Sequence, residues 1–344
     1  MASAENGDSP SFNRCCVAQT SGFGIHFLQN WVRAPEFIPE IRGFGGRRTL
    51  DTEFSGRSTP SPGLYSSSPG IFVRLRGRPE SGTRHVRLAF ISDLHFDHNP
   101  GLLPVLEERL RNVPVDALIL GGDLFSGFSR LATTLRRLLE IVPRVLFLPG
   151  NHDLWVTDSN GLIDSRQLYE SVLPRVVTTA GAEYLGLAPA WFDSVAIVGV
   201  TGWYEDFPGG QTTTPDATCC VWPDFASPRE VLQWQLELLE AQLEAASARA
   251  DRIFVITHTA SFVKLLAPSV HEDILPYVGS DRLGELIYKY PKVVYAVSGH
   301  VHARFLFSVL PRALPWELSP FGYPNELGKD PKETMLVSLR IIEL

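Results

Sequence analysis

The chain has 344 residues, of which 44% are hydrophobic and 20% charged, and its formal net charge is −7. This profile is typical of a globular protein of one or two domains, and the acidic balance argues against general nucleic-acid binding. No apolar run approaches the roughly 20 residues that span a bilayer, so we expect no membrane span.

Residues 1–85 differ in composition from the rest of the chain. The stretch Ser55–Gly70 is dense in Ser, Pro and Gly, which predicts a flexible linker because such a segment buries too little apolar surface to offset its ordering entropy. The preceding segment Gly22–Arg42 is apolar enough to dock on another surface. We therefore predict a partly flexible N-terminal extension and linker over residues 1–85 and a main domain over residues 86–344.

From Val86 onward, short apolar runs alternate with segments of helical spacing. The first predicted elements are, in order, a strand at Val86–Ser92, a helix at Leu102–Arg111, a strand at Ala117–Leu120, a helix at Leu131–Ile141 and a strand at Val145–Leu148. Further strands are predicted at Val195–Val200, Ile253–Thr257, Val293–Ser298 and Met335–Ile342, with a long helix at Arg229–Arg249. This alternation is typical of βαβ units and predicts an α/β fold with a parallel core.

Polar side chains, most of them of types that can bind a metal, follow five of these predicted strands. They are Asp93 and His95 (SDLH), Asp123 (GGD), Asn151, His152 and Asp153 (GNHD), His258, and His300 and His302 (GHVH). Ligands of open α/β sheets bind beyond the carboxyl ends of the strands. We therefore expect these side chains to meet at one edge of the fold.

The residue types indicate the chemistry. Carboxylates, imidazoles and one amide, without a thiolate, suit a divalent cation such as Mn, Fe, Zn or Ni. The set is too large for one ion with open positions, but it suits two divalent metal ions that share a carboxylate. Two ions about 3.5–4 Å apart can clamp the attacking and leaving oxygens at phosphorus, and a hydroxide held between them would be the nucleophile. The sequence thus predicts metal-dependent hydrolysis of a phosphomonoester or phosphodiester of a small molecule or nucleotide.

The ordered motifs resemble the calcineurin-like metallophosphoesterase superfamily, whose pattern is D-x-H, G-D, G-N-H-D/E, H and G-H-x-H. The resemblance implies a four-layer αββα sandwich of two mixed β-sheets flanked by helices. It also implies that one ion is held by Asp93, His95, Asp123 and His302, and the other by Asp123, Asn151, His258 and His300. Asp123 would then bridge the two ions.

The same resemblance gives His152 a role apart from the ligands. It would act on the leaving-group oxygen as a general acid or a charge stabiliser, which suits an imidazole near neutral pH. Asp153 would orient His152, with a structural role in the turn as the alternative. Ser126 stands where many relatives have an acid, and the GDxVDRG and GNHE motifs of protein Ser/Thr phosphatases are absent. These departures argue against a phosphoprotein phosphatase.

Three residues outside the motifs are substrate-pocket candidates. Trp203 and Tyr204 could form an aromatic wall that stacks on a substrate ring, with plain core packing as the alternative. Arg304 could grip a phosphate, or it could have a surface role. The loop at Pro208–Ala226 could be a lid or rim, and Gly322–Glu326 (GYPNE) could close over the site or be a simple turn.

Two further expectations concern function class and location. A non-catalytic scaffold on the same fold is the alternative to an enzyme, but every ligand position and His152 are present. A metallopeptidase is disfavoured because the chain has no H-E-x-x-H motif. The cysteines form two adjacent pairs, Cys15–Cys16 and Cys219–Cys220, which is typical of free thiols and favours a cytoplasmic location, with an organelle transit peptide as the alternative.

Overall fold

A computed structural model describes residues 72–74, 86–156, 163–205, 214–326 and 330–343. Every described residue belongs to one compact unit, which lies within Pro69–Leu344. The predicted linker Ser55–Gly70 and the apolar segment Gly22–Arg42 lie outside the described residues, so the division at residue 86 stays a prediction. Among the described residues, no helix has the length and apolar character needed to cross a bilayer.

The first half of the unit runs from β1 to β7. Its elements are β1 (Phe72–Arg74), β2 (Arg87–Ile91), α1 (Leu102–Arg111), β3 (Ala117–Leu120), α2 (Leu131–Leu139), β4 (Val145–Phe147), a 3₁₀ turn (His152–Leu154), α3 (Ser165–Gln167), a π-helical stretch (Leu168–Val172), α4 (Leu173–Thr179), β5 (Glu183–Tyr184), β6 (Ala190–Phe192) and β7 (Val195–Val200). Most bounds agree with the sequence prediction to within two residues.

The second half holds the remaining helices and strands. These are α5 (Pro215–Cys219), α6 (Pro228–Arg249), β8 (Arg252–Thr257), α7 (Val263–Leu266), a 3₁₀ turn (Leu275–Tyr277), α8 (Asp281–Lys289), β9 (Val293–Ser298), β10 (Phe305–Val309), β11 (Leu314–Leu318), α9 (Pro331–Ser338) and β12 (Arg340–Glu343). The long helix α6 begins where its capping signals place it, because the Ser227 hydroxyl accepts the Glu230 backbone N–H and Pro228 occupies the first turn.

The strand predicted at Met335–Ile342 is wrong over its first half. Residues Pro331–Ser338 form α9, and only Arg340–Glu343 continue as a strand. Asp330 caps this helix by accepting the Lys332 backbone N–H, and Pro331 fixes its first turn. These local signals override the apolar run that suggested one continuous strand.

The strands form two six-stranded mixed sheets. The first has the order β1-β12-β2-β3-β4-β5, in which β2 to β5 are parallel and β12 is antiparallel to β2. The second has the order β10-β11-β9-β8-β7-β6, with antiparallel pairs at both edges and parallel strands between. The edge strand β1 lies within the range predicted as N-terminal extension.

The two sheets pack face to face between layers of helices. Along β2, Leu88 and Phe90 join a buried cluster with residues of β7, β8 and β9, whereas Ala89 and Ile91 face the helical side. Such alternation is the pattern of a strand covered on both faces. On the outer sides, α2 and α4 contact β4 and β5, while α6 lies against β7 and β8. The predicted αββα sandwich is therefore confirmed.

Candidate metal centre

The polar side chains predicted from the strand ends meet in one place, and both sheets supply them. The loops after β2, β3 and β4 carry Asp93 and His95, then Asp123, then Asn151 and His152, and the loops after β8 and β9 carry His258, His300 and His302. The sheets are joined at the site itself, because the His300 backbone N–H donates to both carboxylate oxygens of Asp93 at 3.0 Å. The predicted convergence at one edge is thus present in the structure.

The backbone is strained where it delivers these side chains. Asp93, His95, Asp123 and His300 all have positive φ, between 39° and 66°, a region that L-residues rarely adopt. Such conformations cost on the order of 1–3 kcal/mol each and persist only where the surrounding structure holds them. Because four of them lie within one cluster, the side chains are held in place by loops whose backbone conformations are unfavourable.

Two glycines allow this close approach of loops. Gly122 has φ 101°, and a Cβ there would lie 2.5 Å from the Gly150 nitrogen. A Cβ on Gly299 would lie 2.1 Å from the Ser92 hydroxyl oxygen and 2.5 Å from Asp93 Oδ2. Any larger residue at either position would separate the loops that carry the polar side chains.

One group of potential ligands consists of Asp93, His95 and His302. Their donor atoms lie within 4.8 Å of one another, with His95 Nε2 at 3.3 Å from His302 Nε2 and Asp93 Oδ1 at 3.5 Å from the same His302 nitrogen. Asp93 and His95 are fully buried. This spacing suits three side chains that coordinate one cation, with a further coordination position open to water or substrate.

A second group consists of Asp123, His258 and His300, with Asn151 beside it. The donor atoms of the first three also lie within 4.8 Å of one another. His258 Nε2 is 3.4 Å from Asp123 Oδ2 and 2.9 Å from Asn151 Oδ1. Asp123 Oδ2 is in turn 3.9 Å from His95 Nε2 of the first group. One carboxylate oxygen therefore lies between the two groups.

Hydrogen bonds show which imidazole nitrogens face the centre. His258 Nδ1 is 2.8 Å from the Gly121 carbonyl and His300 Nε2 is 2.8 Å from the Tyr277 carbonyl. A carbonyl only accepts, so these nitrogens carry the proton. His302 Nδ1 likewise lies 2.6 Å from the Glu326 carboxylate. The opposite nitrogens of His258 and His302 face the carboxylate oxygens of Asp123 and Asp93. A divalent cation bound there would displace any proton from these nitrogens and accept their lone pairs.

The electrostatics of the cluster also favour a cation. Burial opposes ionisation of Asp123, but the charges of His258 and His152 outweigh it and hold the pKa well below the usual value. Burial likewise disfavours a charged His258, yet Asp123 raises its pKa to about 9. His95 behaves differently, since burial and the neighbouring His152 keep its pKa well below the usual value. The carboxylates thus draw positive charge into the cluster, while neutral His95 offers a lone pair.

His152 lies at the edge of the cluster. Its ring stacks on Trp155 with centroids 3.8 Å apart, and its Nε2 lies 3.8 Å from Asp123 Oδ2. Its Nε2 is also 3.5 Å from the Tyr323 hydroxyl. His95, Asp123 and His152 form a third possible metal-binding group, so geometry alone allows His152 as a ligand or as a residue facing the reacting atoms.

Asp153 is fully inside the turn that follows β4. Its carboxylate accepts the backbone N–H groups of Asp123 at 2.7 Å and Gly150 at 2.8 Å. Burial, and then the charge of Asp123, raise its pKa to about 8. These contacts hold two loops of the centre together, and they favour the structural role that was the alternative to orienting His152.

Residues 86–304 match the family model of calcineurin-like phosphoesterases. The chain belongs to this family. The matched range contains every motif from Asp93 to His302 and confirms the predicted enzyme class, a hydrolase of phosphoric ester bonds. The family implies divalent metal ions, and the donor groups described above fit them in number, type and spacing.

Two comparisons describe what the chain is similar to. It is 38% identical over 68 residues to the [Acyl-carrier-protein] phosphodiesterase PptH of Mycobacterium tuberculosis, a stretch that is 20% of this chain and spans about a fifth of that relative (21%). The crystal structure of the phosphopantetheinyl hydrolase PptH from the same organism superposes with a TM-score of 0.58 and 19% identity, over 70% of this chain and 91% of that one. The second comparison supports the fold.

The three substrate-pocket candidates have different surroundings. Trp203 is 3% exposed and packs edge-on against Trp222 at 5.3 Å, so little of its ring is available for stacking. Tyr204 is also buried, with its hydroxyl 3.3 Å from His300 Nε2, behind the cluster. Arg304 donates to Ser338 and to the Phe321 carbonyl, which directs its guanidinium toward α9.

Three residues outside the sequence prediction lie in or against the centre. Glu326 binds His302, Tyr323 stacks on His95 with centroids 4.3 Å apart, and Asp216 accepts the side-chain N–H of Asn151 at 2.9 Å. Tyr323 and Glu326 come from the GYPNE segment, and Asp216 comes from the loop that was a possible lid or rim. Those segments were noticed in the sequence, but nothing in their residue spacing identified which side chain would reach the centre.

Proposed function

We propose that this protein hydrolyses a phosphodiester with two divalent metal ions bound at the centre described above. The observation that carries the proposal is the position of Asp123 Oδ2, which lies 3.9 Å from His95 Nε2 and 3.4 Å from His258 Nε2, between two groups of donors. Asp93, His95 and His302 would hold one ion, and Asn151, His258 and His300 the other. Asp123 would contact both.

The bound ions would supply Lewis-acid polarisation of the phosphoryl group and activation of water. The protein's part is to hold the ligands in place. Carbonyls at Gly121 and Tyr277 and the Glu326 carboxylate fix the rings of His258, His300 and His302 by accepting their outer N–H groups. Such partners orient a histidine and raise its basicity as a ligand.

His152 would deliver a proton to the leaving oxygen. Its ring is held from behind by Trp155, and its Nε2 points toward Asp123 and Tyr323 at the edge of the centre. A general acid must lie within hydrogen-bond reach of the leaving group rather than deep among the ligands, and the partly exposed position of His152 suits that requirement.

Similarity to a known phosphodiesterase favours a diester over a monoester. Charge alone admits both esters, because two divalent ions held by the carboxylates Asp93 and Asp123 would leave the centre with a net positive charge. Acyl-carrier protein is a candidate substrate to test, since the similar protein is an [Acyl-carrier-protein] phosphodiesterase.

Hydrolysis of bis-p-nitrophenyl phosphate and p-nitrophenyl phosphate, after chelation and re-addition of Mn²⁺, tests the proposal. We expect no turnover in the chelated protein, recovery with Mn²⁺, and a kcat/KM for the diester higher by roughly tenfold, equivalent to about 1.4 kcal/mol. A protein that binds Mn²⁺ but cleaves neither ester would be a scaffold. A preference for the monoester would contradict the choice of a diester as substrate.

Glu326→Gln should weaken Mn²⁺ binding without abolishing it. One oxygen of Glu326 accepts both the His302 ring N–H at 2.6 Å and the Tyr323 backbone N–H at 2.8 Å, and a glutamine oxygen can accept both, but without charge. Loss of such a partner typically costs about 10–100-fold in affinity, so we expect the lower end of that range in a calorimetric titration. Glu333→Gln on the exposed side of α9 is the matched control. Unchanged affinity in Glu326→Gln would remove its supporting role.

A further inference from the structure

We propose that Asp216 is a positioning residue that selects which end of the Asn151 amide faces the metal centre and holds the ring beneath His152. This inference rests on the proposed function, because it assigns Asn151 and His152 their roles. Asp216 lies on α5, which follows residues 206–213, outside the described part of the chain. No motif marks it, and it reaches the centre from the segment between β7 and α6.

Three donors converge on this carboxylate. Its Oδ1 accepts the Asn151 side-chain N–H at 2.9 Å and the Trp155 indole N–H at 2.7 Å, and its Oδ2 accepts the Tyr204 hydroxyl at 2.8 Å. Tyr204 and Trp155 are buried. An ionised carboxylate only accepts, so it pairs with all three donors without competition among them.

The amide of Asn151 has two ends of similar shape and opposite hydrogen-bonding character. Because Asp216 accepts only, it binds the NH₂ end and turns Oδ1 toward His258 Nε2, 2.9 Å away. Rotation by 180° would instead present the NH₂ group to the ion, and that nitrogen offers no lone pair to a metal. Asp216 therefore determines whether Asn151 can act as a ligand at all.

The contacts of Asp216 with Trp155 and Tyr204 also fix residues beside His152 and His300. Trp155 stacks under the ring of His152, and Tyr204 places its hydroxyl 3.3 Å from His300 Nε2. The short helix that carries Asp216 is itself fixed to this region, because the Val156 backbone N–H donates to the Cys219 carbonyl at 2.8 Å. The Asp216 carboxylate thus contacts the proposed ligand Asn151 and the Trp155 ring that stacks on His152. It also contacts Tyr204, whose hydroxyl lies beside the proposed ligand His300.

Calorimetric Mn²⁺ titration of the full chain compares Asp216→Ala and Asp216→Asn with the unaltered protein. We expect two bound ions in the unaltered protein and a loss of about 10–100-fold in affinity for one of them in Asp216→Ala. Asp216→Asn should recover most of this loss, because its oxygen can still accept from Asn151 and Trp155 while its NH₂ donates to the Tyr204 oxygen. Asp224→Ala is the matched control, since Asp224 is an exposed acid bound to Arg166 at 3.0 Å. It should bind both ions normally.

A double variant isolates the amide orientation. In an Asn151→Asp background both ends of the side chain are oxygens, so Asp216→Ala should no longer lower Mn²⁺ affinity, and relief of repulsion between the two carboxylates should raise it. An equal loss from Asp216→Ala in both backgrounds would overturn the proposal, as would unchanged affinity in the single variant. An equal loss of affinity for both ions in Asp216→Ala, together with a lowered Tm, would show a merely structural role and would also overturn the proposal. Failure of the unaltered protein to bind two ions would instead contradict the proposed function.

Discussion

Asp123→Asn is expected to abolish tight Mn²⁺ binding at both positions of the centre and to lower turnover by roughly three orders of magnitude, the equivalent of several kcal/mol of lost charge stabilisation. Asp123 is 2% exposed, and its Oδ2 lies between His95 Nε2 and His258 Nε2, which belong to different donor groups. No other carboxylate is placed between both groups among the residues that the structure describes.

The orientation that the new side-chain amide adopts in Asp123→Asn makes the loss of metal binding severe. Asp123 Oδ1 accepts the His152 backbone N–H at 2.9 Å. In the asparagine variant this N–H selects the amide oxygen for the Oδ1 position, so the NH₂ group takes the position of Oδ2. That group donates and offers no lone pair to a metal, and it would face the histidine nitrogens of both donor groups. The substitution thus removes the shared charge and also reverses the polarity of the bridging position.

Metal content after gel filtration in Mn²⁺, together with calorimetric titration, measures the result. Asp97→Asn is the matched control, because the Asp97 carboxylate also accepts a backbone N–H, from Ser126 at 2.9 Å, but belongs to none of the three donor groups. That control should keep both ions. An Asp123→Asn protein that retains one ion at unchanged affinity would show that Asp123 serves a single ion and would contradict its bridging position.

The sequence predicted the central strands and the strand-end cluster because both depend on local patterns. Runs such as Ala117–Leu120 and Val195–Val200 are apolar on both faces, so their strand bounds agree with the structure. In parallel strands the carboxyl ends share one edge, so polar residues placed just after them converge. The strained φ angles of Asp93 and Asp123 show how sharply the chain turns at these points.

The residues that surround the cluster could not be predicted in the same way. Asp216, on a short helix, and Tyr323 and Glu326, in a loop, are ordinary residue types, and each reaches the centre across a large sequence separation, 65 residues in the pair of Asp216 with Asn151. Loop conformation depends on tertiary contacts rather than on a period in the sequence. The error at Met335 has a different cause, because the capping signals at Asp330 and Pro331 are local but lie before the apolar run that suggested a strand.

His152→Ala is expected to retain both metal ions yet lose about 10²–10⁴-fold in turnover of a diester with an alkyl alcohol as leaving group, the usual contribution of a general acid. The structure leaves two geometric options for this residue, because His95, Asp123 and His152 could also hold an ion. Metal content separates them. A ligand role predicts loss of an ion in the variant, whereas a role toward the leaving oxygen leaves both ions bound.

The leaving group then separates proton donation from charge stabilisation. A weakly basic leaving group such as p-nitrophenolate departs without a proton, so the variant should lose much less turnover on bis-p-nitrophenyl phosphate than on the alkyl diester. Trp155→Phe is the control, because it keeps an aromatic ring under His152 while it removes the N–H that Asp216 accepts. It should show no such dependence on the leaving group. Equal losses of His152→Ala on both esters would assign His152 to charge stabilisation, because only proton transfer depends on the basicity of the departing oxygen.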